Sequence, residues 1–224
     1  MRISWMIAAA MGLAMAGSAG AEPIRTTFEL VGKTYNVTIP DGFCPLDDQT
    51  RPVFDTIAAA DTQNLTDLTF VDCNLAKAEA SQRRYGIFKT PKSTLLTVLP
   101  PRAELLKQFA GAITDGSMAK AMKDADVSNQ ANKALKDTTG MDLHISGEPR
   151  FVEADEKAAY LVAAMSGGTG GDVHKFSMAG GLTEVNGRLI ALYLYGPYES
   201  DADVARLLIQ AKAQIARFIA DNGG

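Results

Sequence analysis

Between residues 26 and 39 apolar and polar positions alternate. Phe28, Leu30, Tyr35, Val37 and Ile39 are interleaved with Thr27, Glu29, Thr34, Asn36 and Thr38. A period of two puts the apolar set on one face of a strand, so residues 26–31 and 33–39 are predicted to pair antiparallel with one wet face. Gly32-Lys33 between them suits a type II′ turn, with glycine at its first central position. Pro40-Asp41-Gly42 ends the pair. Residues 51–62 read as a helix, with Thr50 as N-cap and Pro52 in the first turn. Residues 65–71, 84–90 and 94–99 read as strands, the last two joined by a turn at Thr90-Pro91-Lys92-Ser93. Pro100-Pro101 breaks the chain. Leu105, Leu106, Phe109 and Ile113 then fall at helical spacing. Residues 115–138 carry only Met118, Met122, Val127 and Leu135 as larger apolar groups. They predict a weakly amphipathic helix that serves as a lid, a docking surface or a solvated face.

The second half is rich in strand patterns. Residues 143–154 are extended, with interruptions at Gly147 and Pro149. Residues 158–165 follow, then a glycine-rich turn over Gly167–Gly171. Residues 173–184 and 189–195 flank Asn186-Gly187, a strong hairpin signal. Ser200 and Asp203 occupy the positions of a capping box. Behind them Val204, Leu207, Leu208, Ala211, Ile215, Phe218 and Ile219 form one helical stripe. Strand 189–195 decides the architecture. Leu189, Ala191, Tyr193 and Tyr195 line one face, and Ile190, Leu192 and Leu194 line the other. A strand apolar on both faces needs cover on both sides, and three amphipathic helices are available to give it. The expected class is α+β: a three-layer α/β/α sandwich with a mainly antiparallel sheet. No repeat or long linker divides the chain, so residues 22–224 are expected to form a single domain.

Residues 1–21 are expected to be a signal peptide. Arg2 supplies a positive start, residues 3–16 an apolar stretch, and Ala19-Gly20-Ala21 a small-residue cleavage site ahead of Glu22. The apolar run is shorter than the roughly 20 residues of a spanning helix. The expected destination is the periplasm, with no transmembrane segment after cleavage. The formal charge is −4, and an acidic chain offers no footprint for a phosphate backbone, so no nucleic-acid partner is expected. Two cysteines remain, Cys44 and Cys73. In an oxidising compartment they predict a disulfide, since a redox pair sits closer in sequence.

Two stretches, YNVTIPDGF (Tyr35 to Phe43) and HKFSMAGGLTEVNGRLIALYLYGP (His174 to Pro197), together with the closing amphipathic helix, resemble the PsbP-like fold family. That family combines an early strand ending in Pro and Gly before an aromatic with a late hairpin around a short glycine turn, then a last helix. The early aromatic is often Trp there, where this chain has Phe43-Cys44, and the cysteine pair is not a general family feature. The resemblance implies an antiparallel sheet between helices and an accessory or binding role.

Candidate chemistry is sparse. Ser117-Met118-Ala119-Lys120 has the S-x-x-K spacing of penicillin-binding enzymes, without the K-T-G or S-D-N that accompany it. The two histidines occur as Asp142-Leu143-His144 and Asp172-Val173-His174. On strands each pair shares a face, and two neighbouring strands would bring four metal ligands together. Ser166–Asp172 lacks the following helix a phosphate loop requires. Asn36-Val37-Thr38 and Asn64-Leu65-Thr66 are formal glycosylation sequons. Tyr198, before the last helix, is a candidate contact for a partner. The reading that follows is a soluble, exported accessory or binding protein with a protein partner in the envelope, no catalytic residues and no cofactor. The alternatives are a metal-dependent or serine hydrolase acting on envelope material, and a small-ligand carrier using the space between the sheet and the helices of residues 102–138.

Overall fold

The computed structural model describes residues 22–75, 82–140, 143–169 and 172–224. The expected leader, residues 1–21, lies outside them. The elements are β1 (Arg25–Leu30), β2 (Lys33–Thr38), β3 (Phe43–Pro45), α1 (Arg51–Ala60), β4 (Asn64–Asp72), β5 (Tyr85–Pro91), α2 (Arg102–Thr114), α3 (Ser117–Asp124), α4 (Val127–Thr139), β6 (Leu143–Ser146), β7 (Arg150–Ala154), β8 (Ala159–Thr169), β9 (Asp172–Val185), β10 (Arg188–Pro197) and α5 (Asp201–Asp221). Eight strands form one antiparallel sheet in the order β3-β4-β5-β10-β9-β8-β6, with β7 pairing β8 beside β6. The α+β class with a mainly antiparallel sheet is the one the patterning predicts.

The two faces of the sheet are covered differently. On one, α5 lies across β8, β9 and β10 and meets β2. Hairpin β1-β2 completes that layer. Phe28, Tyr35, Val37, Phe70, Phe88, Tyr160, Ile190, Leu192 and Leu194 meet Leu207, Ala211, Ile215 and Phe218 there in one buried cluster. Burial of each large side chain in such a cluster contributes roughly 1.5–3 kcal/mol. Gly86 on β5 makes room for Phe70 and Leu194, whose side-chain atoms occupy the space a Cβ would fill. On the second face, α1 packs on β4, and α2 on β7, β8 and β9. Helix α4 packs against β6 at one edge and α1 towards the other.

Several local readings change. In the first hairpin Leu30 pairs with Lys33, and Val31 (φ 49°) and Gly32 (φ 72°) are the central residues. Positive φ at both makes this a type I′ turn on Val31-Gly32, not a type II′ turn on Gly32-Lys33. The register that brings Phe28 opposite Tyr35 requires this shift of one residue. Asn186 and Gly187 (φ 53° and 80°) make the second type I′ turn, as read from the dipeptide. Residues 94–99 are not a strand. Both edges of β5 are taken, by β4 and β10, so the chain crosses the end of the sheet instead. Gly167 and Gly168 belong to β8 rather than to a turn. The single helix expected over residues 115–138 is broken between α3 and α4, where Asp126 has φ 47°. At the start of α5 the Asp203 carboxylate accepts the backbone N–H groups of Glu199 and Ser200, the expected half of a capping box.

Candidate functional site

Cys44 and Cys73 form a disulfide. It ties three-residue β3 to the chain just beyond β4. Cys73 N–H also donates to Gly42 O (3.0 Å). Phe43 meets Phe70 edge-on at 5.4 Å.

The histidines do not converge. His144 pairs with Gly168 of β8, while His174 pairs with Gly167 from the other side. Adjacent residues of one strand face opposite ways, so the two imidazoles stand on opposite faces with β8 between their strands. Asp142 lies outside the described residues. Asp172 begins β9 opposite Thr169. Ser117 and Lys120 are exposed on α3. There Ser117 Oγ donates to Ala112 O, and Lys120 pairs with Asp124 one turn on. Tyr198 is half-buried, and its hydroxyl donates to Asp201 Oδ1 (3.1 Å) in the first turn of α5. Asn36 is held by Asn222 and Asp221 at the end of α5, and Asn64 by Asp61.

A different constellation stands where the turns of the two hairpins, β1-β2 and β9-β10, come together. Arg188 donates from one guanidinium nitrogen to Leu95 O and Thr97 O, both at 3.0 Å. Leu99 N–H donates to Gly187 O (3.0 Å), and Thr97 N–H to Thr94 O (3.0 Å). Lys33 Nζ reaches Asn186 O (2.9 Å), joining the two turns. Leu95 packs inward against the main core. Leu96 and Val98 point out, 81% and 76% exposed. Val31 in the neighbouring turn is also exposed. Hydrogen bonds from a charged donor are among the stronger ones, roughly 1.5–3 kcal/mol, so Arg188 holds the loop in one shape while its apolar side chains face solvent. The sequence pattern predicts a strand through Leu96 and Val98, where the structure has a loop. Pro100-Pro101 behind them and the unusual absence of a polar face over TLLTVL were the available signals.

At the opposite edge, residues Thr66–Thr69 of β4 border a groove of about 320 Å³ that is also lined by Arg51, Phe54 and Asp55 of α1. β3 covers β4 only from Phe70 onward. A bulge between Thr66 and Leu68 turns Asp67 inward. Its Oδ2 accepts from the Thr90 hydroxyl (2.7 Å), while buried Oδ1 has no partner among the described residues. A bulge and an inward charge spoil a free edge as a template for strand addition. Burial pushes the Asp67 carboxyl up to about 6, the Thr90 hydrogen bond opposing it. The folded state therefore holds this proton more tightly than the unfolded chain, and its stability falls as pH rises from about 4 to about 6. Asp67→Asn is expected to stabilise the protein at pH 7 by about 1–2 kcal/mol, with the gain fading towards pH 4. Thermal melts of both proteins across that range check it; a pH-independent difference would place the effect elsewhere.

No family model matches the chain, and no curated protein matches it. Among solved structures it is similar to the solution structure of cyanobacterial PsbP (CyanoP) from Synechocystis sp. PCC 6803, at 15% sequence identity and a TM-score of 0.41, over 90% of this chain and 96% of that one.

Proposed function

We propose that this protein is an exported, non-catalytic accessory protein that docks on a protein partner of the bacterial envelope through the loop of residues 95–99. The observation that carries this reading is the rigid display of Leu96 and Val98. Free apolar side chains on a surface are ordinary when single and mobile. Here two large ones stand within three residues, on a backbone held by Arg188 and Gly187. Prior ordering lowers the conformational cost of association. Val31 extends the same end of the molecule. The disulfide supports export, since such bonds persist in oxidising compartments, and a periplasmic location with cleavage after Ala21 belongs to the same proposal. Tyr198 sits at the far end of β10 from this loop, so a contact there would be a second, separate one.

A photo-crosslinking side chain placed at position 96 tests the reading in the native compartment. It is expected to give one discrete adduct that the same side chain at exposed Ile209 on α5 does not give. Leu96→Asp with Val98→Asp is expected to abolish partner capture while leaving unfolding within about 0.5 kcal/mol of the parent. No discrete adduct, or capture that survives both substitutions, would remove the proposed docking loop.

A further inference from the structure

The first hairpin buries one face and turns the other outward. Phe28, Leu30, Tyr35 and Val37 point into the main core. Arg25 stands opposite Thr38, and Thr27 opposite Asn36. Cross-strand partners share a face, so these four belong to the outer surface at the open end of the hairpin. Arg25, Thr27 and Asn36 are exposed.

Helix α5 ends beside this surface. The residues that close it do for β2 what a third strand would do. Asn222 accepts the N–H of Asn36 and donates to its carbonyl (both 2.9 Å), and Asp221 Oδ2 accepts the N–H of Thr38 (3.0 Å). Asn36 Nδ2 donates in turn to Asp221 O (3.4 Å). These bonds hold the Asp221 carboxylate in place against the hairpin. An acidic residue in the last turn of a helix opposes the macrodipole, and α5 has no basic residue in that turn to offset it. Its second oxygen, Oδ1, has no partner among the described residues.

Arg25, Thr27, Asn36, Thr38 and Asp221 line one cavity of about 520 Å³. Arg25 forms no ion pair with Asp221 or with any other described residue. Glu29, the other acid on this strand face, is engaged by the Thr34 hydroxyl. A guanidinium and a carboxylate thus stand unpaired on either side of Thr38, with open space between them.

We propose that this cavity binds a small zwitterion of dipeptide size, its carboxylate on Arg25 and its ammonium on Asp221 Oδ1. Ligand pockets commonly enclose roughly 300–1,000 Å³, and the polar lining suits a doubly charged solute. The guanidinium fork matches a carboxylate with two parallel hydrogen bonds. The carbonyl end of α5 adds to the attraction for a cation. The Thr27 hydroxyl and Asn36 Oδ1 remain for the amide between the two charged ends. The ordering of Asp221 by β2 lowers the conformational cost of binding. The site is separate from the loop of residues 95–99 and stands or falls without it.

Glycylglycine is the probe, titrated at low salt into the full 15N-labelled chain. Saturable binding is expected, with amide shifts centred on Arg25, Thr27, Asn36 and Thr38 and none at Leu96 or Val98. N-acetylglycine lacks the ammonium and glycinamide the carboxylate; each is expected to bind about tenfold more weakly. Arg25→Gln is expected to weaken glycylglycine by a similar factor while leaving glycinamide unchanged, a split that a general loss of shape would not give. Asp221→Asn keeps an oxygen for the Thr38 N–H and is expected to leave N-acetylglycine unchanged instead. Equal affinity for the three ligands, shifts that do not saturate, or a glycylglycine affinity untouched by Arg25→Gln would overturn the proposal. Should Asp221→Asn not fold, the exposed Arg25 variant decides alone.

Discussion

Phe218→Ala is expected to cost about 3–5 kcal/mol, the largest loss from any single truncation in the chain. Phe218 is 1% exposed. Its ring lies 4.8 Å from Phe88, 6.1 Å from Phe28 and 6.2 Å from Tyr35. Those partners come from β5, β1 and β2, so one side chain on α5 joins the sheet to the hairpin that shares its layer. None of the three can close the void easily. Phe28 and Tyr35 stack on each other at 5.1 Å in a fixed register, and Phe88 lies on an inner strand. The cavity term should therefore add fully to the lost transfer term. Equilibrium denaturation measures the effect. A loss below about 1.5 kcal/mol would mean that the hairpin packs adaptably on α5, and the layer would have to be regarded as loose.

Cleaving the Cys44–Cys73 bond is expected to cost about 3–4 kcal/mol, nearly as much. The bond closes a loop of 29 residues that contains α1 and β4, so it removes many unfolded conformations. Its folded-state role is narrower. β3 contributes only the pairs from Phe43–Asp72 to Pro45–Phe70, too few to hold a strand alone. Without the bond β3 should fray first, exposing the Phe43–Phe70 contact. Denaturation with and without reductant, alongside a Cys44→Ser, Cys73→Ser variant, checks this. Equal midpoints in all three would show that β3 is held by packing, and the staple would contribute nothing measurable.

The two hairpins show how far local pattern reaches. Asn186-Gly187 dictated its own turn, because both residues tolerate positive φ. Val31-Gly32 did not announce itself, since a β-branched residue resists that conformation. It is held there by the pairing of Phe28 with Tyr35, and that pairing matters because both rings are buried under α5. Residues 94–99 depart from their strand pattern for a related reason. Their β-branched and leucine content suits a strand, but strand formation needs a free edge, and none was left beside β5. The candidate docking loop exists because of that exclusion. The paired Asp-x-His motifs were visible as motifs, yet their geometry hung on a register that leaves His144 and His174 facing opposite ways. Nothing in local sequence encodes which strands lie on either side of β8.

The tyrosines mark the same boundary most clearly. The unbroken apolar run of residues 189–195 alone implied a strand buried on both sides, and the structure places that strand in the middle of the sheet. Tyr85 carried no comparable sign; it stands 103 positions before β10 begins and becomes its neighbour only when β5 and β10 pair. Composition and periodicity determined the class, the layers, the long closing helix and the cysteine bridge: the first three depend on residues near in sequence or on the burial of a whole face, and the last on there being just two cysteines to pair. Tertiary structure alone decided which hydroxyls found acceptors, which apolar side chains stayed outside and which carboxylate was buried at a bulge. Those outcomes depend on what the remaining chain leaves uncovered once every strand has taken its place.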